Sequence, residues 1–283
     1  MSIVFENVDF YYKYGKKQNI MALKSINLEF KKGNISVILG ETGSGKSTLL
    51  QLASALLVPS KGSVKVDGMD STLSEEKRHR IRKKVGMVFQ YPEAQFFLET
   101  VFDEIAFGPR NYGIKENLER IILSTAKMLN IDEKLLKKSP YNLSGGEKRR
   151  VAIASILSFQ PDYLVMDEPF VGLDKTGKQK LVELILNLKK QGKSCIIVTH
   201  YLRLLKDIAD EIFVLRKGKL IAKFHGKPFL RLLNNLKELN IELPIFWEII
   251  YMIAKLNKIS INDYLSPKEL LALLKDSKRR GLG

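Results

Sequence analysis

Ile35-Ser36-Val37-Ile38-Leu39-Gly40-Glu41-Thr42-Gly43-Ser44-Gly45-Lys46-Ser47 is the stretch that decides the fold. Ile35–Leu39 reads as a buried strand that runs straight into a loop spaced G-x-x-x-x-G-K-[ST], and residues 46–57 then read as a helix. Strand, glycine loop and helix in that order bring backbone N–H groups to the positive end of a helix, where they converge on phosphate oxygens. Gly40, Glu41, Thr42, Gly43, Ser44, Gly45, Lys46, Ser47 and Thr48 are the expected phosphate-binding set. Lys46 is placed to bridge the β- and γ-phosphates, and Ser47 to set its hydroxyl on Mg2+. ATP and Mg2+ are therefore the expected ligands.

Tyr163-Leu164-Val165-Met166-Asp167-Glu168 supplies the second half of that chemistry. An apolar strand that ends in two acids puts carboxylates at the sheet's carboxyl edge, where nucleotides lie in folds of this kind. Asp167 is expected to hold Mg2+, and Glu168 to accept a proton from, or orient, the attacking water. Leu143-Ser144-Gly145-Gly146-Glu147 reads as a helix start with Ser144 as a cap. Two consecutive glycines are costly at a helix entry unless backbone must come close to something. A serine hydroxyl with bared N–H groups at a helix N-terminus is an anion site. The glycine loop already surrounds its own phosphates, so the anion expected here is a γ-phosphate held by another chain.

Outward from these segments, residues 1–39 alternate apolar and polar positions, with a turn at Lys31-Lys32-Gly33-Asn34, and read as an antiparallel strand set. Residues 74–84 are a polar, basic connection or helix, and Val85–Phe89 a short strand. The pattern turns helical from Pro92 to about Lys138, and a second helix follows Gly146. Strands at Tyr163–Met166 and Cys195–Thr199 flank a helix around Leu181–Lys190. The expected fold is α/β: a mostly parallel sheet with helices packed on it, an antiparallel β part, and a helical lobe inserted over about 91–157. Residues 225–283 read as a separate small helical domain, with Ser266-Pro267-Lys268-Glu269 as a capped helix start.

The single cysteine, Cys195, sits in an apolar run; it excludes a disulfide framework and reads as a buried structural thiol. The N-terminus lacks a basic start and an apolar core, and no uninterrupted apolar run approaches the ~20 residues of a membrane helix. A soluble protein is expected, with any membrane contact peripheral. The net charge of +16 is read as a lysine-rich surface near anionic head groups, not as a nucleic-acid interface, because no aromatic–basic interleaving accompanies it.

These segments, in this order, resemble the ATP-binding cassette (ABC) ATPases over about residues 1–224. Gly40–Ser47 resembles the family's Walker A loop, Tyr163–Glu168 its Walker B strand and Leu143–Glu147 its signature, with Glu147 where glutamine is common. The resemblance implies further roles. Gln90 would contact Mg2+ and water and sense a membrane partner. His200 would touch the γ-phosphate, and Gly172-Leu173-Asp174 would form the D-loop, with Asp174 joining Ser144, Gly145 and Gly146 at the partner's nucleotide. An aromatic residue would stack on adenine; Tyr12 is the best match, with Tyr11 and Tyr14 as alternatives. Gln90–Phe97 and Thr100–Pro109, with the tail from Asn240 to Leu270, resemble the energy-coupling factor (ECF) transporter ATPases. That resemblance implies an ATPase at the cytoplasmic face of a prokaryotic cell membrane, powering uptake of vitamins or transition-metal ions. Its partners would be a second ATPase subunit, identical or paralogous and paired in part through residues 225–283, a membrane coupling protein and, indirectly, a substrate-binding membrane protein. The rivals are a soluble ABC ATPase acting on nucleic acid or ribosomes, and a non-hydrolysing partner in a mixed pair.

Overall fold

The computed structural model of the chain describes residues 1–14, 18–201, 208–225 and 252. β1 (Ser2–Tyr14) and β2 (Gln18–Lys31) form a long antiparallel hairpin. Its inner face is apolar by alternation: Ile3, Phe5, Val8 and Phe10 on one strand, Leu23, Ile26, Leu28 and Phe30 on the other. The step from Phe5 to Val8 breaks the two-residue period. A bulge with Asn7 at φ 49 absorbs the extra residue and returns Val8 to the core. β4 (Lys61–Val66) pairs antiparallel with the other edge of β1, and β5 (Met69–Asp70) pairs with β4.

The turn at Lys31–Asn34 hands the chain to a six-stranded central sheet. β3 (Ile35–Leu39) lies there between β8 (Ser194–Val198) and β9 (Glu211–Arg216). β7 (Tyr163–Asp167) follows β8, and β6 (Val85–Val88) closes that edge. These five strands are parallel; β10 (Lys219–His225) runs antiparallel on β9. The α/β class expected from the sequence is the one observed.

Both faces of the central sheet are covered, which is why its strands are apolar throughout. Tyr163 and Val165, Ile196 and Val198, and Ile38 face the antiparallel sheet and α1 (Lys46–Ala53). Leu164 and Met166, Cys195 and Ile197, and Ile35 and Val37 face the other way, in one core with residues of α3 (Val101–Asn111), α4 (Leu118–Met128), α5 (Gly145–Leu157) and α6 (Lys175–Lys190). Cys195 is fully buried there and burial pushes its thiol up to about 12, so it packs as a small apolar residue.

One local reading changes and another is narrowed. α1 ends at Ala53, not at 57: Ala55 turns left-handed at φ 53 and Leu56 and Leu57 both donate back to the Gln51 carbonyl. Pro59 holds the preceding Val58 out of helical backbone, so the apolar run 55–58 cannot extend the helix. Residues 75–84 form a helix, α2 (Glu75–Lys84), with Ser74 accepting from the Lys77 N–H as its cap. The helix expected behind the Ser144 cap is α5, which starts at Gly145. The helical domain expected over 225–283, with its start at Ser266, lies outside the described residues apart from His225 and Met252. Among the described residues no helix is long and apolar enough to cross a membrane.

Gly40 joins β3 to the loop at φ 151, and a Cβ there would sit 2.1 Å from the Leu215 carbonyl oxygen. Gly40→Ala is expected to cost about 2–4 kcal/mol, through strain and displacement of β9. Urea unfolding of the full chain checks this; a loss below about 0.5 kcal/mol would contradict the close approach.

Candidate nucleotide site

β6, β7, β8 and β3 are neighbours or near neighbours in the sheet and point their carboxyl ends the same way. That alignment sets Gln90, the pair Asp167-Glu168, His200 and the glycine loop side by side. They meet in a cleft of about 410 Å³ lined by Thr42, Gly43, Gly45, Lys46, Ser47, Thr48, Gln90, Asp167, Glu168 and His200, with Tyr12, Ile20, Met21 and Ala22 from the β1–β2 hairpin.

The loop is shaped by its own backbone. Gly43 and Gly45 take φ 79 and 98, and the Gly45 backbone comes so close to Ala22 that a Cβ would meet the Ala22 carbonyl oxygen at 2.6 Å. Lys46 is buried; it donates to the carbonyls of Gly40 (2.7 Å) and Glu41 (2.8 Å) and curls over the loop. Burial lowers the pKa of its ammonium, while Glu168, Asp167 and Glu41 pull it back up. Ser44 Oγ is buried without a hydrogen-bond partner. Glu41 is exposed and takes part through its carbonyl, which also accepts from the Ser44 N–H. Thr48 is buried, and its hydroxyl lies 3.1 Å from the Tyr12 hydroxyl.

Asp167 and Glu168 are 8% and 6% exposed. Glu168 adopts φ 48, a left-handed conformation that side chains resist. Its N–H donates to the Val198 carbonyl at 2.9 Å, and its Oε2 accepts from the His200 N–H at 3.3 Å. Oε1 lies 3.1 Å from His200 Nε2 and makes no hydrogen bond within the protein. Burial raises the Glu168 pKa and Asp167 adds to the rise; His200 and Lys46 oppose it. A basic, desolvated carboxylate at the cleft can take a proton from water.

The other expected residues fall elsewhere. Ser144 caps α5 in a reciprocal box: its hydroxyl accepts from the Glu147 N–H, and Glu147 Oε2 accepts from the Ser144 N–H at 2.8 Å and hydroxyl at 2.6 Å. Those bonds, the hydroxyl first, hold the Glu147 pKa below its ordinary value. Gly145 and Gly146 are exposed, and a Cβ on Gly145 would meet nothing within 4 Å. Asp174 caps α6 by accepting from the Gly177 N–H at 2.7 Å. Gly146 and Asp174 line a different cavity, of about 360 Å³, with Arg150 and Lys180. Of the three tyrosines, Tyr12 reaches the nucleotide cleft, Tyr11 turns to Asp9 (3.5 Å), and the side chain of Tyr14 lies outside the described residues.

The family model described as "ABC transporter" matches residues 23–171. The chain belongs to the ABC transporter ATPase family. It is 43% identical over 231 residues to the energy-coupling factor transporter ATP-binding protein EcfA2 of Streptococcus sanguinis, covering 81% of this chain and 82% of that one. It is 41% identical over 248 residues to the protein of the same name from Ligilactobacillus salivarius, covering 86% of each. Among solved structures, cbiO1 of Clostridium perfringens, part of the ABC transporter complex cbiONQ, superposes with a TM-score of 0.72 at 31% identity, covering 88% of this chain and 98% of that one. The dimeric post-hydrolysis ATP-binding cassette MJ0796, bound to ADP and Pi, gives 0.73 at 29% identity over 80% of this chain and all of that one. An ABC ATPase domain binds ATP, and the two-faced core with its strand-end cleft is what this family member builds for it.

The sequence reading passed over Arg149 on α5, which is 6% exposed and bonds to the carbonyls of Gln90, Glu168 and Val171. An arginine beside the apolar run Val151–Ala154 was the available signal. Met21 and Ala22 were also missed; they enter the cleft only because the hairpin folds over the loop.

The raised Glu168 pKa has a sign in stability. The group favours the fold while neutral, below its ordinary value of about 4.3, and costs stability as pH rises through its raised value. Glu168→Gln is therefore expected to raise the melting temperature of the nucleotide-free chain near pH 7–8, and the gain to vanish toward pH 4. Calorimetry across pH checks it; a destabilised variant at neutral pH would contradict the burial argument.

Proposed function

We propose that the chain is the ATP-hydrolysing subunit of an energy-coupling factor ABC importer, powering uptake of vitamins or transition-metal ions through a membrane coupling protein. The observation that supports hydrolysis is Glu168, a buried carboxylate of raised pKa at the cleft, with Oε1 3.1 Å from His200 Nε2. The ECF-type relatives, and the neighbour from a transporter complex, support the cellular setting. With them goes a place at the cytoplasmic face of a prokaryotic cell membrane.

The cleft fits a metal that arrives with its nucleotide. Its donors are hard: the Ser47 hydroxyl, the Asp167 carboxylate and the Gln90 amide. Among the described residues no group of three or more His, Cys, Asp or Glu could cage a metal alone. Ser47, Asp167 and Gln90 would hold Mg2+, whose charge would offset that of the phosphates. Lys46, bonded to two loop carbonyls, would exchange them for phosphate oxygens. Tyr12 would stack on adenine, Glu168 would orient water and accept its proton, and His200 would contact the γ-phosphate and steady Glu168.

Each ATP would lie between this half-site and Ser144, Gly145, Gly146 and Asp174 of a second ATPase subunit, identical or paralogous. Gly145 supports that reading: among the described residues nothing crowds a side chain there, so an external approach would account for the glycine. Residues 225–283 would help the two subunits pair. The membrane coupling protein would insert a helix into an aromatic groove of about 270 Å³ that includes Phe96, Phe97, Phe107, Tyr112 and Phe159. Phe97 and Phe107 stand exposed at its mouth, ring to ring at 4.9 Å. The substrate-binding membrane protein would be reached only through the coupling protein. The transporter relatives disfavour the nucleic-acid alternative.

Glu168→Gln is expected to bind ATP with unchanged affinity, lose turnover by about 100-fold or more, and accumulate as an ATP-bound pair on size exclusion. Substantial turnover by rigorously pure variant would overturn the role of Glu168. Phe107→Asp is expected to keep ATP binding while abolishing co-purification with the membrane coupling protein; undiminished co-purification would remove the groove from the interface.

A further inference from the structure

Arg149 stands on the core side of α5, five residues after the Ser144 cap, and is nearly inaccessible to water. A buried guanidinium demands partners, and its planar fork aims several N–H groups at fixed angles. Nη1 donates to the Val171 carbonyl, and Nη2 donates to the carbonyls of Gln90 at 3.1 Å and Glu168 at 3.3 Å. One side chain on α5 thus bonds three other segments: Gln90 two residues past β6, Glu168 just past β7, and the turn that leads into α6.

The Glu168 contact is informative because that residue is strained at φ 48. Such a conformation persists only when its surroundings over-determine it. Val198 holds the Glu168 N–H at 2.9 Å; on the other side, the Glu168 carbonyl is held by Arg149 and by the Val171 N–H at 3.2 Å. Gln90 has an exposed side chain just beyond the sheet, and Arg149 fixes its backbone.

We propose that Arg149 is a positioning residue that ties Gln90, Glu168 and the turn at Val171 to the helix beginning at Ser144, so that a displacement at that helix start re-aims the hydrolytic groups of the same chain. The proposal rests on the reading of Glu168 as the group that activates water. It gives the shared-site arrangement a route: a phosphate from the partner subunit engaging Ser144–Gly146 would be felt at this chain's own cleft through one rigid fork.

The test uses Arg149→Gln and Arg149→Lys in the full chain. Arg149→Gln is expected to lower kcat by about 10- to 100-fold with KM for ATP within about twofold, because aim and not nucleotide contact is lost. Arg149→Lys, a point charge without the fork, is expected to restore only part of the rate. Hydrogen exchange read on Arg149→Gln is expected to quicken together at residues 89–91 and 168–172, with the glycine loop unchanged. Wild-type kcat in Arg149→Gln would overturn the proposal, as would exchange that stays slow in both segments or quickens uniformly through the chain. Wild-type protein that fails to hydrolyse ATP would instead sink the functional reading, while the exchange result still decides the role of Arg149.

Discussion

Asp167 and Glu168 end a strand whose two faces are both packed, and the Lys46 ammonium comes to the same crevice from the glycine loop. Two buried acids and one buried cation share that crevice. Burial lowers the Lys46 pKa and raises that of Glu168, and each group partly reverses the other's shift. The arrangement tolerates this tension because the rest of the fold holds it in place. The loop carbonyls engage Lys46, and Val198, His200 and Arg149 hold Glu168 by backbone and side chain.

The sheet is the device that brings these groups together. β3 and β7 are not paired with each other; β8 lies between them, and its own end delivers His200. Parallel strands put the ends that matter on one edge, and packing on both faces makes that edge rigid. The helices over 92–157 then serve two purposes. Their inner faces complete the core, while Phe97 and Phe107 stay outside. Ser144 and Asp174 cap α5 and α6 in their own chain, so their local structural reason is complete without a ligand. Among the described residues nothing crowds the two glycines beside Ser144 closely enough to require them; in the proposed pair, the partner subunit's nucleotide would.

What could be read from the sequence was what depends on short spacing. The loop Gly40–Ser47, the acidic strand end at Asp167-Glu168 and the cap at Ser144 are local patterns, and each stands where the pattern put it. The length of α1 was misread because its apolar run continues past the helix, and only the backbone at Ala55 and Pro59 ends it. The edge hairpin β9–β10 was not anticipated at all. Arg149 was invisible for a deeper reason: the carbonyls of Gln90, Glu168 and Val171 are groups every residue has, brought together only by the tertiary fold. The same holds for Met21 and Ala22, which line the cleft from a strand whose position over the loop no local pattern records.

In the proposed pair, Ser144–Gly146 would complete a nucleotide site on a second chain. A photoreactive residue at the exposed Asn142 position, in the ATPase pair carrying Glu168→Gln, tests it most directly. With ATP present, cross-linking is expected to a second ATPase chain, at peptides around its glycine loop, and to fade without nucleotide. Cross-links confined to the same chain, or indifferent to ATP, would contradict the shared site.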